Sequence, residues 1–251
     1  MRNLLLILLL IIGTGLPKAI GQANRTSANA LLVHIDYGYN LPGAALKDRF
    51  GSNFTLGGAT EIKFGKWFAG INYHYLFGSE VKEDVLSNLR NDRKEYIGID
   101  GHISNILIQE RGYTTAVYAG RLFPLGGSLQ NFLKVSIGGG ILQHKIKVTD
   151  EYNVMPQIFG DYRYGYDRLV NGPMAEEYIG YQFLSNNKRI NFSAGFVLRQ
   201  GFTRQKRVAN YPDPINPVLT TEKNRIDLMN GFKVSWVMPF YFQGNAEEII
   251  Y

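Results

Sequence analysis

The sequence predicts an all-β fold: eight antiparallel up-and-down strands closing into a transmembrane β-barrel, with short turns at one end and long loops at the other. Three observations predict it. Eight stretches of about 10–12 residues alternate apolar and polar side chains with period 2, the mark of a strand with two unlike faces. The connections between them alternate long and short, as in barrels that sort their loops to opposite sides of a membrane. An apolar segment at the N-terminus has the form of an export signal.

Composition bounds the rest. The chain has 251 residues with 16 Tyr, 15 Phe and 28 Gly, an aromatic and glycine excess that suits strands and tight corners. It has no Cys, which excludes disulfides, thiolate metal sites and a cysteine nucleophile. The formal charge of +6 is scattered without a basic block, so no nucleic-acid partner is expected. Arg2 precedes the apolar run Leu4–Ile12, which is shorter than the ~20 residues of a membrane-spanning helix. Ala19 and Gly21 offer the small residues of a cleavage site. The expected organisation is a cleaved signal peptide over 1–21, a periplasmic segment over 22–29, the barrel over 30–242 and a periplasmic tail over 243–251.

The first strand is expected over 31–40, with Val33, Ile35, Tyr37 and Tyr39 on one face and His34 and Asp36 on the other. A polar loop with Pro42 and Gly43 follows. Strand two (54–64) carries Phe54, Leu56, Ile62 and Phe64 against Thr55, Glu61 and Lys63. Gly65-Lys66 turns it into strand three (67–78), where Trp67, Ile71, Tyr73, Tyr75 and Phe77 oppose Asn72 and His74. In the long connection after it, Val81, Val85 and Leu89 recur every four residues and predict a short helix over 81–89; residues 96–112 fit either a further hairpin or a strand extension.

Strand four is expected over 113–123. Strand five (131–148) has Leu133, Val135, Ile137 and Ile141 opposite Lys134, Ser136 and two glycines, then turns polar on both faces beyond Gln143. A second long connection holds DYRYGYDR. Strand six (175–184) and strand seven (190–200) flank a short turn, with Glu176 and Arg199 on their polar faces. Pro212, Pro214 and Pro217 mark a third long connection. The last strand, GFKVSWVMPFYF over 231–242, sets Phe232, Val234, Trp236, Met238, Phe240 and Phe242 against Lys233 and Ser235.

A soluble sandwich or lipocalin-like barrel would bury the large faces, and alternation alone fits either arrangement. The export signal, the sorted loops and the aromatic strand ends favour lipid outside and small or polar residues inside. Phe64, Trp67, Phe240 and Phe242 would then form one aromatic girdle, with Tyr39, Phe54 and Phe77 near the other. His34, Asp36, Glu61, Lys63, His74, Lys134, Glu176, Arg199 and Lys233 would fill the lumen as a network of paired charges. His34 and Asp36 alone are two metal ligands without a third, so no metal and no cofactor is expected.

In its signal segment, its aromatic strand KVSWVMPFYF and its aromatic last residue Tyr251, the chain resembles the small eight-stranded outer-membrane barrels, in particular those of Bacteroidota-type envelopes. The resemblance implies a place in the bacterial outer membrane among its lipid and lipopolysaccharide. It also implies an aromatic residue read by the assembly machinery, either Phe242 or Tyr251. It implies no activity. The loops are the expected functional surface, because long loops in compact domains usually serve function. Tyr162, Arg163, Tyr164, Tyr166 and Arg168 are of the types enriched at binding hot spots, and are expected to contact a protein partner, as in an accessory subunit of a secretion or assembly machine. A stand-alone structural barrel or a narrow pore is the alternative. His102 and His144, with Asp100 and Asp150 nearby in sequence, would suit a rim hydrolase, but no nucleophile motif accompanies them, and the chain is read as non-enzymatic.

Overall fold

The computed structural model describes residues 29–127, 130–185, 190–207 and 224–242. The expected signal peptide, most of the N-terminal segment, the prolines at 212, 214 and 217, and the tail with Tyr251 lie outside them. The barrel strands are β1 (Ala30–Ala44), β2 (Asn53–Phe64), β3 (Trp67–Gly78), β6 (Ile106–Pro124), β7 (Asn131–Asp150), β8 (Val170–Leu184), β9 (Asn191–Gln205) and β10 (Asn224–Tyr241). Between β3 and β6 stands a two-residue hairpin, β4 (Tyr96–Ile97) and β5 (Ile103–Ser104). A five-residue helix, α1 (Ala45–Arg49), follows β1.

Each barrel strand pairs antiparallel with its neighbours in the chain, and β1 meets β10 to close the ring. The closing seam runs from Ala30 opposite Tyr241 to Ala44 opposite Asp227. The start of β1 and the end of β10 therefore both lie at the short-turn side. Gly65 has a φ of 58°, which a two-residue turn between β2 and β3 requires and only glycine adopts freely. Eight strands leave a bore just wide enough for side chains. Gly180 and Gly195 make that room: a Cβ on either would stand within 3.0 Å of the Tyr178 hydroxyl, whose ring lies inside.

The strands run longer at the loop end than the alternation indicates. β6 has 19 residues and β7 has 20, because 106–112 extends β6 rather than forming another barrel strand. Toward the loop end the outward and inward faces differ less in composition, so the alternation fades while the ladder continues. The expected helix over 81–89 is absent; one 3₁₀ turn covers Ser87–Leu89. The backbone N–H of Lys82 instead donates to the Arg49 carbonyl at 2.8 Å, and Val81 bridges to Phe50. These pairings hold the start of the segment against Arg49 and Phe50, and Val85 and Leu86 pack into a core.

The interior has three layers. At the terminal end Leu32, Phe68, Tyr118, Leu122, Phe132, Leu184 and Val237 form an apolar plug. At the loop end Leu46, Phe50, Leu76, Leu86, Leu142, Ile146, Met155 and Met229 form a second, to which α1 and the long loops contribute. The polar groups lie between and beneath these plugs. Outside, Ile35, Leu56, Ile71, Val117, Ile137, Ile179, Phe196 and Val234 are all exposed, a band of large apolar residues around the wall. Such a band is far larger than the scattered apolar surface of a water-soluble monomer. Glu177 is a charged exception within it, between Ile137 and Leu198.

Candidate functional site

The inward faces bring the sequence-predicted polar residues together. His34, Asp36, Glu61, Lys63, His74, Lys134, Glu176 and Arg199 are all buried, and Lys233 reaches in beside them. Three clusters result. Glu61 pairs with the Lys134 ammonium, lies 3.0 Å from His34 Nε2 and accepts the Tyr118 hydroxyl at 3.1 Å. Asp36 lies 2.7 Å from His74 Nε2 and 3.6 Å from Lys233 Nζ. Arg199 Nε donates to Glu176 Oε2 at 2.7 Å, while Asn72 donates to Glu176 Oε1 at 2.7 Å. Lys134 also lies over the Phe68 ring at 4.6 Å, tying this layer to the apolar plug. Desolvated charges of this kind persist when each meets a partner in good geometry. The arrangement fills the bore and joins all eight barrel strands through their side chains.

Further inward groups escaped the sequence reading. Glu110 accepts Asn53 at 3.0 Å, and Asp227 lies 2.9 Å from His144 Nε2 while accepting the Thr203 hydroxyl at 2.5 Å. His144 is fully buried under the Phe50 ring, whose centroid lies 5.5 Å away. It is not at the rim. His102 stays on its loop beside Asp100, and Asp150 accepts the Ser104 hydroxyl at 2.5 Å and the backbone N–H groups of Val154 and Met155. The four groups considered for a rim hydrolase are thus spread over three separate places.

The long loops form a fastened cap. Glu83 accepts Arg49 Nε at 2.6 Å on one oxygen and Arg168 Nε at 2.7 Å on the other. Arg49 further donates to the Arg168 carbonyl at 3.1 Å, and Arg168 to the Gly165 carbonyl at 2.7 Å. One carboxylate thereby joins three connections: the one after β1, the one after β3 and the one before β8. Burial alone would push the Glu83 carboxyl up, but Arg49 and then Arg168 outweigh it and hold it below the ordinary carboxylate range. A further link runs from Asp167 to the Arg207 guanidinium at 2.6 Å.

This cap divides the five loop residues read as partner contacts. Tyr162 is 65% exposed, and Arg163 and Tyr164 stand beside it on the surface. Tyr166 and Arg168 are buried and are corrected here: they hold the loop together and are closed to a partner. The exposed surface includes instead Ile99 at 81%, Ile103 at 61% and Tyr152 at 64%. The Ile99 N–H donates to the Val154 carbonyl at 2.8 Å, which sets β4–β5 against the segment that carries Tyr152. Ile99 and Ile103 were missed because a lone exposed isoleucine in a loop has no sequence signature.

The girdle residues Phe64, Trp67, Phe240 and Phe242 are all more than half exposed at the terminal end. Arg121 joins them, its guanidinium 5.1 Å from the Trp67 ring and 5.2 Å from the Phe123 ring. At the opposite level Tyr39, Phe54 and Phe77 stand in a row, Phe54 stacked on Phe77 and tilted against Tyr39.

No family model and no curated protein matches the sequence. Among solved structures, the chain is similar to Neisserial surface protein A, with 11% identity and a TM-score of 0.40 over 82% of this chain and 96% of that one. It is similar to Ail, the attachment invasion locus protein of Yersinia pestis, with 11% identity and a TM-score of 0.38 over 84% and 99%. It is also similar to the outer membrane protein OprG of Pseudomonas aeruginosa, with 11% identity and a TM-score of 0.39 over 87% and 97%. Identities this low carry no role across to this chain.

Proposed function

We propose that the chain is an integral outer-membrane barrel whose sealed body presents a fastened loop cap for docking a protein partner. The observation that carries the docking reading is the exposure of Ile99, Ile103, Tyr152 and Tyr162 on loops that half-buried ion pairs tie together. Rigid exposed aromatic and aliphatic groups cost little ordering entropy on binding and supply contact area. The apolar band between two aromatic levels supports the membrane setting. On the resemblance of its last strand we assign it to a Bacteroidota-type envelope, and to an accessory role in a secretion or assembly machine there. The two apolar plugs support a closed body over the alternative of a narrow pore. Planar-bilayer recording addresses that point: a flat current is expected, and stable conductance steps would restore the pore.

The docking reading is tested by a photo-crosslinking amino acid placed at Ile99 or Tyr162 in cells. A discrete adduct with one outer-membrane protein is expected from both positions, and none from Trp67 in the girdle. Adducts absent from the loop positions, or equal from Trp67, would remove the reading.

A further inference from the structure

The outer wall of the barrel carries a cleft that the loop cap does not use. It lies across β3, β6 and β7 and has a volume of about 230 Å³. Its upper part is basic, from Arg111, Lys145 and Lys147; its lower part is aromatic, from Tyr73, Tyr75 and Tyr113. The ladder brings them together: Tyr75 stands opposite Tyr113, and Arg111 opposite Lys145. Alternate residues share a face, so Lys147 stands on the same face as Lys145 while His144 and Ile146, on either side of Lys145, are buried inside.

The height of the cleft follows from β7. Its outward residues run Leu133, Val135, Ile137, Gly139 and Ile141, then Gln143, Lys145 and Lys147. At about 3.3 Å per residue and a tilt of about 40°, the steps from Leu133 to Gln143 rise about 25 Å, the height of a barrel's apolar band. The lysines therefore begin where hydrocarbon gives way to headgroups. Tyr73 and Tyr113, stacked with ring centroids 5.8 Å apart, sit at the level that amphipathic rings prefer.

The carboxylate adjacent to Arg111, that of Glu110, is buried inside the wall. The Arg111 guanidinium donates to Gln109 Oε1 at 2.6 Å and to the Glu110 carbonyl at 2.7 Å, which fixes its plane. Among the described residues no carboxylate pairs with Arg111, Lys145 or Lys147. Like charges directly opposite on a sheet repel, and a shared anion turns that repulsion into a clamp. We infer that this cleft binds the phosphate of a phosphorylated outer-leaflet lipid, held by Arg111, Lys145 and Lys147 with the acyl chains running down the wall past Tyr73. A lipid rather than a free phosphate fits, because the apolar wall continues directly beneath the cations. The inference rests on the membrane reading above.

Native mass spectrometry of the full chain in detergent tests it, with bis-phosphorylated lipid A, its dephosphorylated form and inorganic phosphate as probes. The wild type is expected to retain bis-phosphorylated lipid A. The K145Q/K147Q variant should retain it about 25-fold less at low salt, from about fivefold per cation near a charged membrane surface. R93Q/K94Q, with the same charge removed on an exposed loop, should bind as the wild type does. Equal retention by K145Q/K147Q, equal retention of dephosphorylated lipid A, or displacement of the lipid by equimolar phosphate would overturn the inference. If K145Q/K147Q fails to fold, R111Q carries the same expectation at about fivefold. A wild type that shows no heat-dependent mobility shift on gels would instead sink the membrane reading itself, and this inference with it.

Discussion

Two guanidinium–carboxylate knots do different work in this molecule. In the lumen, Arg199 and Glu176 stand directly opposite each other on β9 and β8, with side chains 0% and 6% exposed. In the cap, Glu83 grips Arg49 and Arg168, and its own side chain is 34% exposed. The lumen pair joins positions that the backbone ladder already fixes. It neutralises charge in a filled space and adds little information about where the chain goes. The cap knot joins three connections that are otherwise related only by isolated backbone bonds, such as the bridge from Phe50 to Val81, so it adds directly to where those loops lie. Similar chemistry thus serves satisfaction in one place and placement in the other.

The sharpest break in that comparison is Arg199→Met. It strands the Glu176 carboxylate in the lumen and is expected to cost about 3–5 kcal/mol of barrel stability, read as the midpoint of unfolding in urea. Adding Glu176→Leu should recover most of that loss, because an apolar pair of similar volume needs no partner. A double variant as unstable as the single one would show that the pair also steers the fold. Glu83→Gln should cost the barrel under about 1 kcal/mol while raising protease cleavage within 79–105 about tenfold, since only local opening is released.

The pH dependence separates the knots further. The Glu83 carboxyl is depressed in the folded state, so its contribution is complete above the unfolded carboxylate value of about 4.3 and is lost as pH falls through the lower folded value. Pepsin should therefore cut the cap increasingly below about pH 4 while the heat-dependent gel shift persists. In Glu83→Gln that acid increment should disappear. The smallest effect is expected from Tyr162→Ala: unfolding within about 0.5 kcal/mol of wild type, because the ring is exposed, with loss of the partner adduct.

The barrel wall was legible because period 2 has one physical cause here: lipid on one side and a tight bore on the other. That is why all nine lumen positions, from His34 to Lys233, point inward. Their pairing was not legible. Asn72 meets Glu176 across 104 positions of sequence, a closure that only the ring creates. Asp227 was missed because β10 begins well before Gly231, in the part where alternation no longer separates lipid from lumen. Tyr166 and Arg168 were misjudged for a different reason. Tyrosine and arginine serve equally as exposed anchors and as internal fasteners; Glu83 draws Arg168 inward, and the apolar core with Met155 and Ile158 takes Tyr166.

The seam between β1 and β10 has a consequence for the order of events in biogenesis. Ala30 and Tyr241 face each other, so the first and last strands are the most distant in sequence and yet adjacent in space. Until β10 is in place, β1 and β9 each expose a row of unpaired backbone groups that hydrocarbon would not tolerate. The ring has no partly closed form that satisfies its own donors and acceptors. Closure of the ring therefore waits on the C-terminal strand. A ribosome that stops short of residue 224 yields a chain that is not a smaller barrel but an open sheet seeking any free edge.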